Sequence, residues 1–340
     1  MGLSSSKQGD SPPAESAKPT YDTVAVLQEG DPKSPWRHGQ VEEAIFLGAR
    51  VIVKRCGRTE AWVCATLQGC DYVPHTHAAW TFLDRPGRND VVMERLSGSL
   101  RHLRPELSLS QVARFASHTV AGLQALNTRC NRVHADVAPS NICVRDLHGP
   151  AECGILIDFG AALYPATGAS PTWKLVGGPS RPAFASIAQH DRCSNSARPS
   201  PADDYEALLY CVAWAWLGTL PWESFCDQLY TLTCELDAAD SDSERRDACE
   251  RECATLEAKV RDSKVSFVHE LCGFTGATAT RIPRCLSTRL GALFKTVLAL
   301  PRSGAVLFEA GTALCVELEA IAAKAEELDT KRFAAQGHRG

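Results

Sequence analysis

Two short segments constrain this chain more than anything else in it. Val133-His134-Ala135-Asp136-Val137-Ala138-Pro139-Ser140-Asn141-Ile142-Cys143-Val144 puts a histidine, a carboxylate and a carboxamide into one loop. Leu156-Ile157-Asp158-Phe159-Gly160 follows, with Asp158 seventeen residues after Asn141. Short apolar, strand-like runs flank both, so they read as two loops at the ends of neighbouring strands. The residue types suit phosphoryl transfer. That reaction asks a protein for a carboxylate that orients a hydroxyl and accepts its proton, and for Mg²⁺ held against the phosphates. Asp136 is expected to be that carboxylate. Asn141, five residues on, is far enough along for the loop to fold back and offer its amide oxygen to a metal. Asp158, after an expected strand over 154–157, offers a carboxylate to the same purpose. A few hard oxygen ligands match Mg²⁺, which leaves the rest of its shell to water and phosphate.

Composition sets the frame. At 340 residues, 44% hydrophobic and 22% charged, the chain has apolar material for one bilobal domain or two small ones. A net charge of −4 supplies no global basic field, so no nucleic-acid partner is expected. The fifteen cysteines are scattered and odd in number, and no secretory signal precedes them. Cys249 and Cys253, four apart in a charged helical stretch, lack the C-x-x-C pairing and histidines of a zinc site. Reduced thiols in an intracellular protein are the expectation. No run reaches the roughly 18 to 20 apolar residues of a membrane span; the nearest, 207–220, reads as a buried core helix. Met1-Gly2-Leu3-Ser4-Ser5-Ser6 fits the N-myristoylation pattern at Gly2. One acyl chain binds membranes only marginally, and Lys7 and Lys18 are balanced by Asp10 and Glu15. The expected location is therefore cytoplasmic, with weak peripheral membrane association through the N-myristoyl group.

Along the chain, residues 1–20 are rich in Ser and Pro and read as a disordered tail. Strands are expected over 23–27, 44–47 and 50–53, then a helix over 59–68 with Thr59 as its N-cap. Val91-Val92-Met93 reads as a strand leading into a hinge, Glu94-Arg95-Leu96-Ser97-Gly98. Val112, Phe115, Ala116, Val120, Leu123 and Leu126 recur at helical spacing. A Gly/Ser/Pro-rich stretch over 167–201 precedes a mostly helical C-terminal part, which has a charged interruption at 237–264. A polar tail over 331–340 is expected to fray, and no internal repeat is present.

With these residues in hand, the chain resembles the protein kinases, which use H-R-D-x-x-x-x-N and D-F-G in this order. It is most similar to the casein kinase 1 and vaccinia-related kinase branch, over roughly residues 40–300. Val51-Ile52-Val53-Lys54 resembles the V-A-I-K strand, which makes Lys54 the phosphate-binding lysine. Glu60-Ala61-Trp62-Val63 through Leu67-Gln68-Gly69 resembles that branch's C-helix, which makes Glu60 the partner of Lys54. Val92-Met93-Glu94 followed by Leu100 resembles its hinge, with Met93 as gatekeeper. Phe184-Ala185-Ser186-Ile187 with His190 resembles Y-A-S-I-N-x-H. Asp203-Asp204-Tyr205-Glu206-Ala207-Leu208 and Gly218-Thr219-Leu220-Pro221-Trp222 resemble D-D-L-E-S-L and G-x-L-P-W. The resemblance implies an α+β, bilobal protein-kinase-like fold. Its tail would be 1–20, its small β-rich N-lobe 21–96, its larger helical C-lobe 97–328 and its C-terminal tail 329–340. ATP would be bound by Lys54, Glu60, Glu94, Leu96, Asn141 and Asp158, and Mg²⁺ by Asn141 and Asp158. Catalysis would fall to Asp136, Asn141, Asp158 and Lys54, and Asp204 would brace the catalytic loop backbone. By analogy alone, so divergent and cysteine-rich a member would suit a large DNA virus.

The chain departs from the pattern in three places. No G-x-G-x-x-G is present: Gly30 and Gly39 are separated by eight residues that include Pro32 and Pro35, and prolines remove the N–H donors a phosphate-covering loop supplies. Ala138 stands where serine/threonine kinases place a lysine that steadies the transferred phosphoryl group. Ala135 stands where an arginine would pair with an activation-loop phosphate, a change the vaccinia-related branch shares. Three functions remain open. The first is an ATP-Mg²⁺-dependent serine/threonine kinase acting on protein hydroxyls. The second is a pseudokinase scaffold or regulator, favoured by the altered glycine loop and Ala138. The third is a small-molecule or lipid phosphotransferase, disfavoured by the 184–190 and 218–222 segments.

Overall fold

The β-branched residues Val41, Ile45, Val51, Ile52 and Val53 give the stretch between Val41 and Cys56 its strand preference, and it forms the centre of the first sheet. The structure, a computed structural model, describes residues 21–28, 40–81, 89–165, 182–192, 200–238, 243–273, 275–276, 281–301 and 306–337. Strands β2 (Val41–Phe46) and β3 (Ala49–Cys56) form a hairpin in antiparallel register, with Phe46 opposite Ala49. Its two loop residues, Leu47 and Gly48, both have positive φ (50° and 81°), the turn that matches the strands' own twist. With β1 (Asp22–Gln28), β4 (Thr76–Thr81) and β5 (Asn89–Glu94) the antiparallel order is β1-β2-β3-β5-β4. Ala44, Phe46, Val51, Val53 and Val92 fill one face.

Helix α1 (Arg58–Thr66) follows β3, and its N-cap is Gly57 in extended conformation rather than Thr59. The helix begins two residues earlier than the threonine suggests, so Thr59 falls inside the first turn, and no side chain caps the end. Buried Glu60, Ala61, Val63 and Cys64 form the inner face of α1.

The rest is mostly helical, giving a mixed α+β structure. After β6 (Gly98–Ser99) and α2 (Leu100–Leu103) comes α3 (Leu109–Cys130), begun by a reciprocal capping box between Ser108 and Gln111. Strands β7 (Ile142–Arg145) and β8 (Cys153–Leu156) complete a small antiparallel sheet with β6. Gly154 lets β8 lie against α3: a Cβ there would stand 2.6 Å from the Phe115 carbonyl oxygen. Then come α4 (Ile187–Arg192), α5 (Pro201–Leu217), α6 (Glu223–Ala238), α7 (Ser243–Gly273), α8 (Arg284–Leu298) and α9 (Val306–Gly337). Tyr210, Trp222, Phe267 and Phe294 pack as tilted and edge-on pairs at 5.1–6.1 Å between α5, α7 and α8, and α9 lies along α3.

Two expectations change here. The charged stretch 237–264 does not interrupt the helices over its described residues; most of it is α7, whose charges face solvent while Cys249, Leu256, Val260, Lys264, Phe267, Val268 and Leu271 turn inward. The expected frayed tail is helical as far as Gly337. The described cysteines are free thiols, and among the described residues no helix is long and apolar enough to cross a membrane. The N-terminal tail with Gly2, the Gly30–Gly39 loop and most of 167–201 lie outside the described residues.

Candidate active site

Three elements distant in sequence meet at one ammonium. Lys54, two residues before the end of β3, reaches Glu60 Oε1 of α1 at 2.6 Å and Asp158 Oδ1 after β8 at 2.7 Å. The Glu60 carboxylate is nearly enclosed, with 7% of its side chain exposed, whereas Asp158 retains 34%. Burial by itself would push the Lys54 amine down, but the two carboxylates outweigh it and hold its pKa above the ordinary lysine value. Burial raises the Glu60 carboxyl against the opposing pull of Lys54. Asp158 goes the other way: burial raises it, yet Lys54 and a Gly160 N–H bring it below the usual carboxylate range. Asp158 also sits in the left-handed region (φ 65°), unusual for a residue with a side chain, and so aims its carboxylate back at Lys54.

The loop carrying Asp136 is held from beneath. Asp204, in the first turn of α5, accepts the His134 N–H at 2.7 Å on one carboxylate oxygen and the Ala135 N–H at 2.9 Å on the other. Ala135 has φ 63°, so a charged acceptor secures a backbone that local preference opposes. Burial pushes the Asp204 carboxyl up to about 7, against the lowering effect of these two bonds. His134 is fully buried. Its Nδ1 accepts the Asp136 N–H at 3.3 Å, which leaves Nε2–H to donate to Ile157 O at 3.0 Å. That is the neutral ring, and burial lowers its pKa accordingly. Phe159 stands edge-on to His134 at 5.5 Å. The Ile157 N–H donates to Asn141 O at 2.9 Å, so the two loops are joined at both ends.

The expected site residues therefore fall into groups. Lys54, Glu60 and Asp158 touch directly. Asp136 and Asn141 touch each other, because Asn141 Nδ2 donates to the Asp136 carbonyl at 2.9 Å and to Oδ2 at 3.1 Å. That bond turns the Asn141 amide oxygen away from Asp136. The Lys54 and Gly160 hydrogen bonds both go to Asp158 Oδ1. An amide oxygen and a carboxylate with one oxygen engaged by protein fit a hard divalent cation such as Mg²⁺, which needs few protein ligands. Glu94 is otherwise engaged: Arg145 of β7 holds both its oxygens, at 2.9 and 2.5 Å, and the His75 N–H adds a third bond. Its carboxylate is thus taken up by protein partners and not free for a ligand, a correction to the expected ATP-binding role of the Glu94 side chain, while Leu96 is half-buried. Ala138 is fully buried.

Three residues here have no counterpart among the motifs. Arg145 also donates to Asp71 O and Val73 O, tying the 71–73 backbone to β7. Arg132 lies 3.8 Å from the Tyr164 ring centre and 5.7 Å from that of Trp62. Lys264 lies buried beneath the segment that leads into α4. No protein-family model and no curated protein matches the chain.

Proposed function

We propose that the protein is an ATP- and Mg²⁺-dependent kinase that phosphorylates serine and threonine hydroxyls of other proteins. In this reading the two parts of the fold are the lobes of a casein kinase 1 or vaccinia-related type of kinase. The observation that carries it is the Lys54 ammonium bridging Glu60 and Asp158, the latter 104 residues along the chain, beside a loop in which Asp204 anchors the His134 and Ala135 backbone just before Asp136. Two of the three Lys54 N–H groups are used in these pairs, and the third can donate to a phosphate oxygen. Asp136 orients the acceptor hydroxyl and takes its proton as the oxygen attacks. Asn141 and Asp158 would hold the metal, which when bound neutralises charge building up on the phosphates. Neutral His134 keeps the Asp136 backbone and the strand before Asp158 in register.

Asp136→Asn tests this reading, because it removes the proton acceptor and keeps the shape. Wild type should phosphorylate casein and the variant should not; equal incorporation in both would sink the proposal. One observation favours a second reading, a kinase-like scaffold: Ala138 is closed off in the core, so no cation at that position steadies the transferred group. Nucleotide binding without any turnover would favour the scaffold. Acylation of Gly2 belongs to the main reading. Gly2→Ala should shift the vesicle-bound fraction into solution, and identical partitioning of the two proteins would count against a lipid there.

A further inference from the structure

Helix α1 carries Glu60 but has little of its own to hold it in place. It is nine residues long, starts at Gly57 without a side-chain cap and has no basic residue in its last turn. A helix so short is marginal unless it is packed. Its inner face is fixed by the Glu60–Lys54 pair and by a Phe159 N–H that donates to Glu60. At about 100° per residue, Trp62 points to the other side, and it is 45% exposed. One side chain reaches that outer side. The Arg132 guanidinium lies 5.7 Å from the Trp62 ring centre and 3.8 Å from that of Tyr164, both within cation–π range.

The backbone puts Arg132 there. It follows Asn131, the left-handed residue (φ 49°) that ends α3. It precedes an isolated bridge in which Val133 and Leu163 exchange N–H···O bonds at 2.8 and 3.0 Å. The bridge brings Ala162 and Tyr164 alongside, and Arg132 Nη1 donates to Ala162 O at 3.3 Å. Val133 runs directly into His134 and Asp136, and Leu163 follows the Asp158-Phe159-Gly160 turn. Arg132 therefore joins α1, the root of the Asp136 loop and the stretch after Asp158. Its Nε–H is buried with no acceptor among the described residues, a cost that an apolar side chain filling the same space would avoid. What the guanidinium supplies there is a positive charge for two ring faces.

We propose that Arg132 is a positioning residue that clamps the outer face of α1 to the Asp136 loop through Trp62 and Tyr164, and so keeps Glu60 on Lys54. Its part in catalysis rests on the kinase reading above. Arg132→Met keeps an unbranched stem and removes the charge. In steady-state kinetics with casein and ATP, kcat should fall about tenfold while the KM for casein stays within about twofold. Trp62→Leu, a change on an exposed face, should lower kcat about fivefold, whereas Trp62→Phe keeps a ring and should stay within about twofold of wild type. The Arg132→Met/Trp62→Leu double variant should lie within about twofold of Arg132→Met, because the two side chains act as one unit. An unchanged kcat in Arg132→Met, or losses that multiply in the double variant, would overturn the proposal. Amide exchange reads the clamp without any turnover. At Val63 and Cys64 of α1 it should quicken about tenfold in Arg132→Met relative to Val120 of α3, and equal protection in variant and wild type would also overturn the proposal. Should Arg132→Met fail to fold, Trp62→Leu serves for the same exchange comparison, with the same refuting outcome. If wild type transfers no more phosphate than Asp136→Asn, the kinase reading falls, and exchange alone decides whether Arg132 clamps α1.

Discussion

Replacing Lys54 by methionine should destabilise the protein in a way that depends on pH, and Glu60 should be the cause. At 2.6 Å and an effective dielectric of about 20, the attraction between Lys54 and Glu60 is on the order of 6 kcal/mol before desolvation is counted. Breaking a buried pair by removing one partner costs about 3–5 kcal/mol, because the other charge stays behind. Glu60 stays behind nearly enclosed, whereas Asp158, a third exposed, keeps access to water. Without Lys54 the influences left on the Glu60 carboxyl are chiefly burial and Asp158, both of which raise it. A carboxyl raised in the folded state contributes stability that is complete below its unfolded value, about 4.3. That contribution is lost as pH rises through the folded value. The variant should therefore lie closest to wild type near pH 5 and fall furthest behind it at pH 8. Urea unfolding of wild type, Lys54→Met, Glu60→Gln and the double variant at both pH values reads this directly. At pH 8 the double variant should be more stable than Lys54→Met alone, since the neutral amide removes the stranded charge and still accepts a hydrogen bond. A loss that is the same at pH 5 and pH 8, or a double variant no more stable than the single, would refute the argument.

Asp204→Ala should cost about 3 kcal/mol or more, since two backbone N–H groups lose a charged acceptor under a strained Ala135. Thermal unfolding checks the cost, and casein phosphorylation should fall with it; a fully active, equally stable variant would contradict the bracing role. Ala138→Lys, which introduces the lysine that serine/threonine kinases carry at the corresponding place, should lower both stability and any turnover, because the site is closed and a lysine must be forced into the core. Faster turnover at unchanged melting temperature would refute the argument from burial.

Much of the site was legible before any coordinates because its residues are bound by short-range geometry. The five-residue step from Asp136 to Asn141 is one loop folding back, and the bond between them follows from that spacing. Lys54 and Glu60 lie six apart across one strand-to-helix turn, close enough for a single ion pair. The apolar run over 207–220 marked a buried helix, which in the structure spans Pro201–Leu217 and stops at Gly218, and Asp204 was expected only through the resemblance. The N-cap of α1 was misread because threonine is only a statistical preference, and the point at which β3 ends is set by its pairing with β5.

Tertiary structure decided the rest, where a polar side chain meets a partner far along the chain. Nothing local marks Arg145 as the residue that occupies Glu94, 51 positions away, or sets Arg132 between Trp62 and Tyr164. Lys264 left a trace: Leu256, Val260, Lys264 and Val268 recur every four residues, so helical periodicity alone puts the lysine on the buried stripe. In so charged a segment the stripe reads as surface. The sequence by itself settled which residues share a loop or a helix face, since bond lengths and the helical repeat dictate that. Which buried charge finds which acceptor depends on how β8, α5 and α7 pack, and only the folded chain brings Lys54 to Asp158 or Lys264 to Pro182.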